Sequence, residues 1–322
     1  MMLCLALGFA VVLPVQAADF TKLLPSETEA VMTFNMKQLV ASGIYDKYLK
    51  ERVEKMIDDS KEAGDFMKMT GLDPLTDIGR IIISGSGSDP SSMSAVVLVE
   101  GKFDPAKLNA AMAEAAKKEK DKISVVQDGD LTMYKMSQPD SDTALFATIV
   151  DEGMMVMATS KDLVKDTLAR RAGTKKGTIS KELAGVLRKI DDKATMTMAF
   201  VTKGKTEALP IPQPEVAKIV EKIHTISVAL DVTKDVSLNI GVGVDDEDSA
   251  KELGEQLAAV VPQAKSMVAL FAIQQPKLKK PLNDIVNTLK TAVDGQVISL
   301  KMVIPSSAVD ALMNMLKDNI EN

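Results

Sequence analysis

The sequence predicts an α+β fold: two similar domains, each an antiparallel sheet with helices packed on one face. Three observations predict it. Short apolar runs of strand length alternate with longer stretches whose apolar residues recur at three- and four-residue steps. Neighbouring runs are joined by tight turns such as Asp128-Gly129-Asp130 and Asp151-Glu152-Gly153, as antiparallel hairpins require. The order of elements in the second half echoes the first at an offset of roughly 142 residues, which points to a tandem duplication.

The elements follow in order. Ala30–Met36 reads as a strand. From Ile44 to Met69, Tyr45, Tyr48, Leu49, Val53, Met56, Ile57, Phe66 and Met67 keep a helical period, predicting one long amphipathic helix closed near Gly71. Ile81–Ile83 and Ser94–Glu100 are strands joined by the loop Gly85–Ser92. Asp104-Pro105 opens a helix, because Asp caps free N–H groups and Pro fits the first helical position. Its apolar side is Leu108, Ala111, Met112 and Ala115. Two strand pairs follow, Ile123–Val126 with Leu131–Met136 and Ala144–Val150 with Met154–Ala158. Ser160 caps a helix with Leu163, Val164 and Leu168, and the basic stretch Arg170–Gly177 reads as a linker.

The second half opens with the strand Thr195–Val201. A hairpin of Thr225–Val232 and Val236–Val244 follows, then a helix with Leu253, Leu257 and Val260. Gln263–Gln275 and Pro281–Leu289 read as helical where the first half has a strand pair. Asp294-Gly295 turns into Gln296–Ile304, and a last helix carries Val309, Leu312, Met315 and Leu316. The expected boundaries are a signal peptide over 1–17, one α+β domain over 18–172, a linker and connecting helix over 173–193, and a second α+β domain over 194–322.

The first eighteen residues set the location. They run apolar from Leu3 to Val15 and reach Val15-Gln16-Ala17, the layout of a secretory leader. The expectation is a secreted or periplasmic protein cleaved near Ala17. Cleavage removes Cys4, the chain's one cysteine, and with it any disulfide or Cys-ligated zinc site. A net charge of −6 and a pI near 5.1 argue against nucleic acid as a partner and against anionic membrane surfaces. No segment after the leader has the apolar length of a transmembrane helix.

The stretch Leu23-Leu24-Pro25-Ser26-Glu27-Thr28-Glu29-Ala30-Val31-Met32-Thr33-Phe34-Asn35-Met36, with Leu39-Val40-Ala41-Ser42 after it, resembles the opening of secreted, functionally uncharacterised envelope protein families of planctomycetes and similar bacteria. These begin LPxxTxxVxxxN and continue with tandem α+β repeats. The resemblance implies export and fold, and assigns no site residue.

Candidate chemistry is sparse. His224 is the sole histidine and has no nucleophile motif beside it. The Gly85 loop lacks the Gly-Lys-Ser/Thr of a phosphate loop. Asp245-Asp246-Glu247-Asp248 lacks the alternating spacing of a calcium loop and suits a helix N-terminus. Methionine is the anomaly, with 20 residues against 11 aromatics and no Trp. Thioethers select Cu(I). Met155 with Met157, and Met196 with Met198, each sit two apart on a strand and so share a face. Core filling is the simpler account, because Met adapts to irregular gaps.

The expected function is therefore non-catalytic: an envelope protein that binds a protein or other envelope component, with no cofactor. Two alternatives stand beside it. One is a carrier, of Cu(I) through those methionines or of an apolar ligand between sheet and helices. The other is a hydrolase that works with carboxylates alone.

Overall fold

The computed structural model describes residues 19–87, 93–137, 143–202 and 221–320. The leader with Cys4 and the cleavage point, and Ser88–Ser92 of the Gly85 loop, lie outside the described residues. In the first half the strands are β1 (Ala30–Asn35), β2 (Ile78–Ser86), β3 (Ser94–Gly101), β4 (Ile123–Asp128), β5 (Leu131–Met136), β6 (Leu145–Asp151) and β7 (Met154–Ala158). In the second they are β8 (Met196–Val201), β9 (Ile223–Val232), β10 (Val236–Val244), β11 (Lys290–Asp294) and β12 (Val297–Ile304).

These strands form one antiparallel sheet in the order 11-12-10-9-8-1-2-3-7-6-5-4. The expectation of a separate sheet in each half is corrected by the β1–β8 pair, which runs from Ala30 opposite Phe200 to Phe34 opposite Met196. Each is the first strand of its half. Left as an edge it would present unpaired N–H and C=O groups, and pairing satisfies both rows at once. The seam is closed on one side by a buried hydroxyl pair, Thr33 Oγ1 to Thr197 Oγ1 at 2.7 Å.

The strand order repeats about that seam. Outward from it run 1-2-3-7-6 on one side and 8-9-10-12-11 on the other, with the β4–β5 hairpin extending the first half alone. The cross-strand rungs match. The rung Ile82–Leu98–Val156 corresponds to Ser227–Gly241–Ser299, and Arg80–Glu100 to Thr225–Gly243.

The helices are α1 (Met36–Val40), α2 (Lys50–Asp59), α3 (Lys61–Thr70), α4 (Pro74–Asp77), α5 (Pro105–Lys118), α6 (Lys161–Arg171), α7 (Lys181–Lys189), α8 (Glu247–Gln274), α9 (Lys279–Val286) and α10 (Ser306–Ile320). The single helix expected over Ile44–Met69 is instead a π-turn at Tyr45–Leu49 followed by α2 and α3. The break falls at Ser60, in extended backbone at φ −89° and ψ 102°. Asp58, Asp59 and Ser60 are side chains that compete for backbone hydrogen bonds, and this ends the helix despite an unbroken apolar period. Caps read from the sequence are present. Asp104 accepts from Lys107 N at 3.1 Å, Ser160 from Leu163 N at 3.2 Å, and Asp246 from Ser249 N at 2.7 Å.

In the first half both sheet faces are covered, not one. On the first face Val31, Ile82, Val96, Leu98 and Val156 pack with Leu24, Val164 of α6 and Leu183 of α7. On the second, Val97, Val99, Ile81 and Ile149 pack with Phe66 of α3 and with Phe103 and Leu108 at α5. The run Val96-Val97-Leu98-Val99 supplies both faces, as a strand buried on two sides must. Each fully buried aliphatic side chain contributes about 1.5–3 kcal/mol. In the second half the first-face cluster reaches only Ala199 and Val201 of β8, and the second face carries Val242 and Ile298 against Ala250, Leu253 and Leu257 of α8.

The basic stretch from the last turn of α6 onward is not a solvated linker throughout. The Arg170 side chain is only 3% exposed and lies 3.9 Å from Asp166, while Arg171 pairs with Asp151 and Lys175 with Asp166. Gly177 lets the chain cross over it, because a Cβ there would meet Arg170 Cδ at 2.8 Å and Leu24 O at 3.1 Å.

Candidate functional site

In the second half α7 packs on β8 and β9, and its end borders the rest of the first sheet face. A groove of about 120 Å³ lies there, floored by Thr225, Ser227 and Ala229 of β9, Asn239, Gly241 and Gly243 of β10, and Val297 and Ser299 of β12. The end of α7 makes one wall through Val186, Lys189 and Ile190.

Every floor residue has a counterpart in the first half, and at the central rungs the counterparts are larger. Ser227, Gly241 and Ser299 stand where Ile82, Leu98 and Val156 fill the core. Thr225 and Gly243 stand where Arg80 and Glu100 form a bidentate pair, Nε to Oε2 at 2.9 Å and Nη2 to Oε1 at 3.1 Å. Arg80 also lies over the Phe20 ring, 5.2 Å from its centroid. The groove is thus the volume those side chains would occupy. A Cβ on Gly241 would meet Ser227 Oγ at 2.5 Å, and one on Gly243 would meet Thr225 Oγ1, so either addition would turn a floor hydroxyl aside.

Chemically the floor offers hydroxyls, one amide and edge-on backbone, with the ammonium of Lys189 at the wall and no carboxylate or imidazole among the described lining residues. Such a surface hydrogen-bonds; it has no acid–base pair.

The candidates read from the sequence fall elsewhere. Met155 and Met157 pack at α5 with Val99 and Phe103. Met196 and Met198 lie on β8, separated from β7 by β3, β2 and β1. At about 4.8 Å per strand step the two pairs stand roughly 19 Å apart and do not converge. Met198 is instead opposite Met32 across the seam. His224 Nε2 bonds Asp245 Oδ1, and its Nδ1 is buried without a partner among the described residues. No hydroxyl or thiol nucleophile completes that pair among the described residues. Asp246 caps α8, and the Ser249 N–H, then its hydroxyl, hold the Asp246 carboxyl below the usual range. No group of three or more His, Cys, Asp or Glu among the described residues is arranged to hold a metal ion.

A second cleft, about 600 Å³, opens where β5 and β6 part. Thr148 Oγ1 bridges to Thr132 O at 2.9 Å there, and the Tyr134 hydroxyl meets Asn109 Oδ1 at 2.9 Å. Its one carboxylate among the described residues is Asp130, so it does not bring together the two acids that glycosidic hydrolysis needs.

Comparison with protein-family models finds none that matches the chain, and no curated protein matches it either. No helix among the described residues is long and apolar enough to cross a membrane.

The groove had a signal in the sequence. Val236-Ser237-Leu238-Asn239-Ile240-Gly241-Val242-Gly243-Val244 alternates strictly, the mark of a strand with one apolar and one polar face. Its counterpart β3 does not alternate. Comparing the two strands residue by residue would have located the open face.

Proposed function

We propose that the protein is a non-catalytic envelope component, exported by its leader, that receives a macromolecular partner on the open face of β9, β10 and β12. The observation that carries this reading is the replacement of a core face by small hydrogen-bonding residues at matching rungs of one sheet. The floor offers hydroxyls and backbone at half-buried positions and the exposed amide of Asn239, groups that favour a partner supplying donors and acceptors. At about 120 Å³ the groove falls short of the roughly 300–1,000 Å³ of small-molecule sites, which favours a segment of a larger molecule. Lys189 at the wall, with no acidic neighbour among the described lining residues, favours a polar segment that is neutral or negative.

The test is a photo-crosslinking residue in place of Asn239, introduced in the native envelope, with Ser227→Leu as the blocking change. Ser227→Leu restores the bulk that Ile82 supplies in the first half. A discrete adduct at position 239 that disappears with Ser227→Leu supports the reading. No adduct, or one indifferent to the blocked groove, refutes it.

A further inference from the structure

The whole-chain charge hides a local reversal. Residues 256–283 hold four lysines, Lys265, Lys277, Lys279 and Lys280, and no Asp or Glu. At the chain's average of 45 acidic residues in 322 positions, such a stretch would carry about four. The segment is the outer part of α8 and the start of α9, which packs back along it.

The same segment exposes apolar side chains. Val260, Met267 and Leu270 are 50%, 70% and 66% exposed, and they follow one another along one side of α8 at helical spacing. The inner part of α8 is different: Ala250 is buried, Leu253 and Leu257 pack on the sheet, and Gly254 lies against Val293. Pro262 sits where the packed part gives way to the exposed part. It removes one helical hydrogen bond and frees the outer part to bend from the sheet. Lys277 and Lys279 are exposed at the turn into α9, without an ion-pair partner among the described residues, and Lys280 pairs with Asp284 at 2.8 Å.

We propose that the outer part of α8 and the α8–α9 turn form a docking element for an anionic lipid surface, with Val260, Met267 and Leu270 entering the interface and Lys277 and Lys279 meeting the phosphates. The charge is complementary to anionic headgroups and opposite to that of the rest of the chain. An exposed apolar ridge with lysines at its end is the composition of a helix that lies in the membrane plane. The ridge is one side of a helix, not its whole circumference, so it reaches the interface and does not span. This surface is separate from the groove, and either reading stands without the other.

The test uses the full chain with Cys4→Ser, so that a single introduced cysteine carries an environment-sensitive fluorophore. Leu270→Cys is the probe position and Val125→Cys, on the exposed β4, the control. With vesicles of phosphatidylcholine and phosphatidylglycerol, roughly two to one, the label at 270 should shift to the blue and that at 125 should not. Pure phosphatidylcholine should leave both unchanged. Adding Lys277→Glu and Lys279→Glu should weaken the response at 270 by at least about tenfold, and salt should weaken it further. An unchanged label at 270, or equal shifts at both positions, overturns the proposal. A shift at 270 without vesicles that grows with protein concentration also overturns it, and assigns the ridge to a second copy of the chain.

Discussion

The two halves of the sheet share a strand order and differ in what one face carries. In the first half that face is Ile82, Val96, Leu98 and Val156, fully buried under α6, α7 and the N-terminal segment. In the second it is Ser227, Asn239, Gly241 and Ser299, bordered only by the end of α7 among the described residues. The other face is apolar in both. The difference teaches that one repeated topology can serve as core or as surface depending on a single face. The counterpart helices follow the residues. Helix α6 packs on β6 and β7, whereas α10 packs on α9. A polar strand face gives a helix no apolar area to bury, so nothing draws α10 across it.

The largest test of this contrast is truncation at matching rungs. Leu98→Ala should destabilise by about 3–5 kcal/mol, because a buried leucine leaves a cavity. Ser227→Ala, at the corresponding face, should cost less than about 1 kcal/mol. Urea unfolding of both variants measures this, and similar losses would mean that the second-half face is core after all.

The seam comes next. Thr33 and Thr197 exchange a buried hydrogen bond, and Thr33→Ala leaves the Thr197 hydroxyl unpaired at a cost of about 1–2 kcal/mol. The double change Thr33→Val with Thr197→Val removes both hydroxyls and should recover most of that loss. If the double variant is no better than the single, the hydroxyl pair is not what seals β1 to β8.

The smallest effect should be common to the halves. Asp104 and Asp246 cap the counterpart helices α5 and α8, and backbone N–H groups hold both carboxyls below the usual range. A depressed folded value means a contribution that is present above the unfolded pKa, near 3.9, and lost as pH falls through the lower folded value. NMR titration should show both acids ionising below ordinary aspartates. A normal titration for one alone would mark a real difference between the repeats.

Much of the strand and cap pattern was legible in the sequence, because period and turn chemistry are local. The hairpin of β9 and β10, the helical stretch of α8 and α9 beyond Gln263, and the caps Asp104 and Ser160 all followed from neighbours in the chain. The single sheet did not. Pairing of β1 with β8 joins residues far apart in sequence, and no local pattern announces it. The break at Ser60 was missed because Met56, Ile57 and Phe66 keep the helical period across it. The groove was missed for another reason. The glycines of β10 read as weak strand residues when taken alone, and acquire meaning only against Leu98 and Glu100 at the same rungs of the first half. Methionine spacing suggested a convergence that the strand order forbids.

The central claim is that matching faces of the two halves differ in access, and thiol labelling measures it directly. In the Cys4→Ser background, single cysteines replace Ile82 and Val156 on one side and Ser227 and Ser299 on the other. Under native conditions the thiols at 227 and 299 should react readily with a water-soluble maleimide, while those at 82 and 156 should react only after unfolding. Equal protection at all four positions would contradict the account, because the second-half face would then be as closed as the first.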